Sequence, residues 1–231
     1  RELILQAVEE QFLLKKGGIT SVVSKKAEHT KTPVVQKAQM ASKIALDERV
    51  VKSIMRSEGV NGEQGNRKEI YGFRKGNGTT YNDILLVRNR YGVGSDEEYE
   101  VVAKAMNESA KKAGALNFSD PGKQAAVMSM AHMRGVGGAQ AILNSMLSGK
   151  VVKASKLTTE AKEYIESMNS DDFHNKLMEA RMTYDERIYG SSTTMQNGIK
   201  YNWLDRYGDG LMKRYKRESV EFIKISRESK G

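Results

Sequence analysis

The pair Glu58-Gly59 combines the residue types expected of an acid–base site at the end of a helix. Apolar residues precede it with helical spacing: Val50, Val51, Ile54 and Met55. Partial burial at such a position raises the pKa of a carboxyl group, and the glycine after it lets a substrate chain approach. The chemistry this allows is proton donation to a leaving oxygen, as in glycoside hydrolysis. An ordinary surface glutamate before a helix-terminating glycine has the same local pattern.

Other reaction chemistries find less support in the residue types. The chain has no cysteine, which excludes disulfides, thiolate metal sites and cysteine nucleophiles. Its three histidines, His29, His132 and His174, lie far apart in sequence and form no His-Glu-x-x-His pattern. We therefore expect neither a metal site nor a cofactor. His132 lies in a helical stretch, which is typical of a hydrogen-bonded or solvent-exposed histidine rather than a catalytic one.

The net charge of the 231-residue chain is +9, which favours polyanionic partners. Nucleic acid, anionic lipid and the bacterial wall all carry negative charge. No apolar run approaches the roughly 18 residues of a transmembrane helix, so we predict no membrane span. Near the C-terminus, basic residues predict a solvated face that could attract the wall: Arg206, Lys213, Arg214, Lys216 and Arg217.

The elements that must position Glu58 are predicted to be mainly helical. Between Gly59 and Gly78 the chain has six glycines around short strand-like pieces, which predicts a small β-hairpin. Ser95-Asp96-Glu97-Glu98 is a capping box, and Asp120-Pro121 also begins a helix. Residues 19–32 have the composition of a linker. Helices are predicted over 1–15, from Pro33 to about Ser57 with a break near Asp47, after Asp83, and over 96–113, 120–134, 137–148, 158–168, 171–189 and 209–227.

Two motifs near Glu58 resemble a known family. The stretch Ser53-Ile54-Met55-Arg56-Ser57-Glu58-Gly59 resembles the helix-ending Ser-Glu-Gly or Asp-Glu-Gly of phage-type lysozymes and phage endolysins, whose catalytic glutamate stands there. The short hairpin that follows in those enzymes has a pattern similar to Ile70-Tyr71-Gly72-Phe73.

Two longer segments extend the resemblance in the same order. Ala125 to Ala139, continuing to Asn144-Ser145-Met146-Leu147, is similar to the central pair of helices with its glycine-containing turn. Glu179-Ala180-Arg181, followed by Trp203-Leu204-Asp205-Arg206 and Gly210 to Glu218, is similar to the C-terminal segment of phage and cell-wall muramidases. Trp203 is interpreted as a core residue between C-terminal helices. Together the matches cover roughly residues 50–225.

The resemblance implies a mainly α (α+β) fold, a lysozyme-like helical bundle with a small β-hairpin insert. Residues 1–46 form an N-terminal helical extension and linker, and residues 47–231 the catalytic domain. The implied activity is that of a muramidase (lysozyme), cleaving the MurNAc–GlcNAc bond of peptidoglycan glycan strands with Glu58 as general acid. Such an enzyme acts from a phage virion or after release to the periplasm and wall. The extension could dock it to a larger phage assembly.

Substrate contacts are expected at Gly59 and at three tyrosines that recur every ten residues, Tyr71, Tyr81 and Tyr91. Aromatic rings stack on sugar faces, although tyrosines also pack β-hairpins. Phage-type lysozymes usually carry an aspartate and then a threonine at set distances after the glutamate. Here those distances reach Arg67 and Phe73.

The identity of the second catalytic carboxylate is therefore open. Glu63, Glu69 and Asp83 could each supply it, and Glu69 is favoured because it begins the strand that lines the cleft side of such a hairpin. A solvent-facing charge on the hairpin is an equal alternative for Glu69. With no second carboxylate, the chain would resemble lytic transglycosylases, which use one glutamate and the sugar's own 6-hydroxyl to form an anhydro product.

Two further functions compete with an enzyme. A nucleic-acid-binding protein would account for the basic charge, and Gly135–Gly138 between two helices is superficially similar to a helix-turn-helix. The positive charge is spread along the chain, however, and the glycine-rich insert would have no role, so nucleic acid is disfavoured. A virion or tail component could also keep a lysozyme-like fold without activity.

Overall fold

The computed structural model describes residues 45–64 and 67–229 of the chain. Its helices in chain order are α1 Glu48–Glu58, α2 Thr80–Tyr91, α3 Asp96–Ala113, α4 Pro121–Ser148, α5 Thr159–Ser167, α6 Ser170–Tyr189 and α7 Trp203–Glu228. A short 3₁₀ helix covers Ala115–Asn117. The strands are β1 Gly62–Gln64, β2 Arg67–Ile70, β3 Phe73–Arg74, β4 Thr193–Gln196 and β5 Ile199–Asn202. The mainly helical fold with a small β insert is confirmed.

Side-chain caps begin three of the helices where the sequence predicts them. Asp47 accepts a hydrogen bond from the backbone N–H of Arg49, so the predicted break near this residue starts α1. Ser95 accepts from Glu98 N–H, and α3 has the predicted bounds. Asp120 caps α4 directly before Pro121. The predicted elements over 1–15 and 19–32 and the helix start at Pro33 lie outside the described residues.

Helix α4 runs through the centre of the domain. It packs against α3, α6 and α7, and most of its first half is buried. The sequence predicts two helices here, and a kink at Gly135, whose φ of 71° and ψ of 168° are not helical, divides α4 into two helical segments as predicted. Within the part of the chain that the structure describes, no helix is long and apolar enough to cross a membrane.

Two small antiparallel sheets complete the fold. The first has the order β1-β2-β3, with Ile70 opposite Phe73 across a two-residue turn. The second pairs β4 with β5 and was not predicted from sequence. Two helices also begin earlier than predicted, α2 at Thr80 and α7 at Trp203. Trp203 is half-buried and stacks on Tyr189 with ring centroids 4.5 Å apart.

A buried histidine gives the domain an expected sensitivity to acid. His174 on α6 is 2 % exposed and lies against the rings of Phe173 and Phe222. Burial lowers its pKa to about 4, and Lys123 and Arg181 act in the same direction, against Asp120 and Asp171. The unfolded chain binds this proton below about pH 6.5 and the folded chain only below about pH 4. Stability contributed by neutral His174 is therefore lost as pH falls through that window.

We expect this one group to cost about 3 kcal/mol of unfolding free energy between pH 7 and pH 4. In His174→Leu that part of the acid loss should disappear. Urea titrations of both proteins at several pH values measure the difference. An equal loss in wild type and variant would contradict the prediction.

Candidate active site

Glu58 is the last residue of α1, and its position is fixed by the backbone on both sides. Gly59 ends the helix with a φ of 78° while its N–H donates to the carbonyl of Met55. The carbonyl of Gly59 then accepts from Tyr71 N–H at 3.1 Å, which ties the first sheet to the helix end. The Glu58 side chain is 14 % exposed, so it reaches solvent from a mostly covered position.

His132 on α4 contacts Glu58 directly. Its Nε2 lies 2.9 Å from Oε2 of Glu58, and 34 % of its side chain is exposed. This distance is that of a hydrogen bond, which an imidazole Nε2–H can donate to the carboxylate. From the sequence, His132 is expected to be structural or solvent-exposed. In the structure it lies against the candidate acid.

Gly72 covers this pair from the side of the β2–β3 turn. A Cβ atom added to it would lie 2.9 Å from Cε1 of His132 and 3.3 Å from Cγ of Glu58. Its φ is 78° and that of Tyr71 is 48°, as in the tight turns that join two antiparallel strands. Only glycine fits this position without moving the pair below it.

Arg214 on α7 approaches Glu58 from the opposite side. Its guanidinium lies 3.5 Å from Oε1 of Glu58, and its Nε donates to Glu218 at 2.6 Å. Glu218 is buried and also pairs with Arg181 at 2.8 Å. Burial raises the pKa of Glu218, but the two arginines outweigh it and the net shift is downward. Glu58 is therefore one end of a row of alternating charges that runs into the domain.

The pKa of Glu58 follows from these neighbours. Burial is the largest single influence and raises it, as the sequence predicts. The hydrogen bond and charge of His132, with the charge of Arg214, act together in the other direction and lower the pKa overall. The expected raised pKa is thus wrong for the free protein, because His132 and Arg214 come from distant parts of the chain and the sequence pattern around Glu58 does not include them.

An open cleft of about 360 Å³ lies beside Glu58. Its walls are the end of α1, the β2–β3 turn, one face of α3 and the middle of α4. Polar side chains on these walls are Glu58, Arg74, Asn77, Ser109, Lys112 and His132. Among the described residues that line this cleft, Glu58 is the only carboxylate. A smaller recess of about 70 Å³ on the other side of Glu58 contains Arg214 and Glu218.

The favoured second carboxylate lies outside the cleft. Glu69 forms an ion pair with Arg74, Nε to Oε1 2.7 Å, and precedes Ile70, which is buried in the core. Because successive strand residues face opposite sides, Glu69 points away from the core side of β2. Glu63 and Asp83 are exposed, and neither lines the cleft. The expected catalytic role of Glu69 has no support in this geometry.

The three tyrosines have different environments. Tyr71 lines the cleft but is only 5 % exposed, with its hydroxyl 3.4 Å from buried Glu98. Tyr81 is in the hydrophobic core, and Tyr91 is exposed at the end of α2 beside Arg90. Tyr81 is buried and Tyr91 is largely exposed, so their ten-residue spacing does not bring the two rings to one binding surface. Sugar contact at these two tyrosines was expected from sequence, and the structure places both outside the cleft.

Gly59 ends α1 and borders a separate surface pocket beside Tyr99 rather than the cleft. Sequence reasoning missed His132 and Arg214 as neighbours of Glu58. The one available signal was that both lie in segments resembling the same enzyme family. Elsewhere, no three histidine, aspartate or glutamate side chains of the described residues converge as a metal site would require.

Comparisons of this chain with protein-family models, with curated proteins and with solved structures found no match. The assignment of a function therefore depends on the geometry around Glu58 and on the resemblance of its motifs.

Proposed function

We propose that the chain is a peptidoglycan muramidase that cleaves the MurNAc–GlcNAc glycosidic bond with Glu58 as general acid. The observation that carries this proposal is a mostly buried glutamate at the wall of an open cleft, hydrogen-bonded to His132 and covered by Gly72. The cleft is lined by polar side chains that can bind sugar hydroxyls. The ordered resemblance to phage-type lysozymes supports the same chemistry.

Proton delivery follows from the Glu58–His132 contact. In the free protein the lowered pKa holds Glu58 as a carboxylate, which can accept the Nε2–H of His132 at 2.9 Å. A saccharide in the cleft excludes water and adds to the burial that favours the protonated acid. Glu58 then takes up a proton and passes it to the leaving oxygen as the C1–O bond breaks. Water adds its hydroxyl to C1, and its proton restores the pair.

A lytic transglycosylase is the second candidate, favoured by one observation. Glu58 is the only carboxylate among the described residues of the cleft, and this reaction needs no other. Glu58 would first protonate the leaving oxygen and then, as a carboxylate, accept the proton of the 6-hydroxyl. Attack of that oxygen on C1 gives a 1,6-anhydro product without water.

Mass spectrometry of digested, purified peptidoglycan tests the proposal. A muramidase yields fragments with a reducing-end muramic acid. A product with 1,6-anhydromuramic acid would assign the second candidate. Release of stem peptides from intact glycan, or no release by a folded protein, would contradict both.

Gly72→Ala tests the contact between the turn and the acid. The added methyl would displace His132 or Glu58, and we expect activity to fall at least about tenfold because small misplacements at reacting groups are costly. Gly76→Ala is a matched control, with a φ of 85° and open space around its Cβ. Both variants should lose about 1 kcal/mol of stability from backbone strain.

Turnover on soluble peptidoglycan and thermal melts of the two variants measure these effects. Equal activity in Gly72→Ala and Gly76→Ala would show that the turn does not position the acid.

A further inference from the structure

A second cavity, of about 670 Å³, opens directly beside the cleft. We call it the lysine groove, after the four lysines that line it: Lys111, Lys112, Lys156 and Lys162. No aspartate or glutamate is among the described residues of its lining. A concave surface with charge of one sign attracts ligands of the opposite sign more strongly than scattered charges do.

The lysine groove adjoins the cleft. Lys112 at the end of α3 and Val136 next to the kink of α4 line both cavities. The loop before α5 forms the far wall, where Ser155 N–H donates to Gly137 at 3.2 Å. Gln140 connects the walls, because its amide donates to the carbonyls of Lys112 and Ala113 and accepts from Leu157 N–H. The groove is therefore built into the fold.

The four lysines of the groove are not engaged in ion pairs within the part of the chain that the structure describes. All but Lys162 are exposed. Elsewhere on the surface Lys52 pairs with Glu48 and Lys224 with Glu228, each within one helix. An anionic ligand would thus meet ammonium groups that are not already engaged.

We propose that the lysine groove binds the stem peptide of the muramic acid residue whose sugar occupies the Glu58 cleft. This inference rests on the proposed function. The stem peptide is a short chain with several free carboxylates, and it branches from the sugar next to the bond that is cut. Four extended residues reach about 13 Å. From His132 to Gln140 the helix spans at most about 12 Å, so the peptide can follow α4 through the groove.

Calorimetric titration of the inactive Glu58→Gln protein tests the subsite by binding alone. The two ligands are a muropeptide tetrasaccharide with its stem peptides and the same tetrasaccharide without them. We expect the peptide-bearing ligand to bind about tenfold tighter, as a few charge-assisted contacts at a solvated surface allow. Adding Lys156→Gln and Lys162→Gln should remove this preference, so that both ligands bind alike.

The matched control is Lys104→Gln with Lys200→Gln, two exposed lysines, on α3 and β5, that line neither cavity. It changes the net charge equally and should keep the tenfold preference. The proposal is overturned if the groove variant keeps the preference or if the control loses it to the same extent. Tighter binding of a short oligonucleotide, lost in the groove variant alone, would assign the groove to nucleic acid instead.

The outcome separates this inference from the proposed function. If the protein cleaves glycan but shows no preference for the peptide-bearing ligand, the proposed subsite is refuted and the muramidase proposal stands. If it prefers the peptide-bearing ligand but cleaves no glycan, the subsite stands and the muramidase proposal is refuted.

Discussion

Glu58→Gln is expected to lower the turnover of peptidoglycan by about three orders of magnitude, the usual contribution of a positioned general acid. Glutamine has nearly the same shape and can still accept the hydrogen bond from His132, but it has no proton to give. Because the side chain lies beside the cleft rather than in the core, helical content and the melting temperature should stay within a few degrees of wild type. Release of soluble muropeptides per minute measures the loss.

Glu69→Gln is the matched comparison for this variant. It removes the same charge at the position that sequence reasoning favours for the second carboxylate. Since Glu69 pairs with Arg74 and does not line the cleft, we expect less than about a fivefold loss, the size of one solvated ion pair. Wild-type activity in Glu58→Gln would refute the assignment of the acid. A loss in Glu69→Gln as large as in Glu58→Gln would restore Glu69 as a catalytic partner.

Glu98→Gln is expected to give the largest loss of stability, about 3–5 kcal/mol. The side chain of Glu98 is fully buried and pairs with Arg88, whose side chain is 8 % exposed. Glu98 also accepts from the backbone N–H of Gly94, while Arg88 donates to Asn61 and to the carbonyl of Val60. Without the carboxylate, Arg88 is a buried cation with no counter-charge. For a domain of this size the melting temperature should fall by roughly 10 °C.

Two further variants serve as comparisons for Glu98→Gln. Glu228→Gln breaks an exposed pair with Lys224, 3.7 Å long, and should cost less than about 0.5 kcal/mol. Replacing both buried partners, Arg88→Met with Glu98→Leu, should recover most of the loss, because no unpaired charge is left behind. Thermal and denaturant unfolding of these three variants measures the losses of stability. A loss in Glu98→Gln no greater than that in Glu228→Gln would show that the buried pair is not a stabilising element.

The Arg88–Glu98 ion pair also supports the hairpin of the candidate site. Asn61 and Val60 lie just after Gly59, and Tyr71 contacts both Glu98 and the guanidinium of Arg88. Arg88 and Glu98 thereby hold the hairpin against α2 and α3. We expect Glu98→Gln to loosen the turn that carries Gly72, and so to lower activity at temperatures where the domain is still folded.

Much of the secondary structure could be predicted because its signals are local. The capping box at Ser95 and the cap at Asp120 act within one turn of helix, so α3 and the start of α4 follow from a few neighbouring residues. The β4–β5 hairpin was missed although Asn197-Gly198 carries a local signal, with φ of 52° and 78° as its turn requires. The division of α4 at Gly135 also has a local signal, since glycine tolerates the positive φ of 71° found there.

By itself the sequence determined that Glu58 stands at the end of an amphipathic helix, before a glycine and a short hairpin. Hydrogen bonds between near neighbours in the chain decide such features, so local residue types suffice. Only the tertiary structure placed His132 and Arg214 against the carboxylate, with Gly72 above, and moved Glu69, Tyr81 and Tyr91 away from the cleft. The direction of the Glu58 pKa shift depends on His132 and Arg214, which act on it through space. Their positions come from the packing of α4 and α7, which no spacing along the chain specifies.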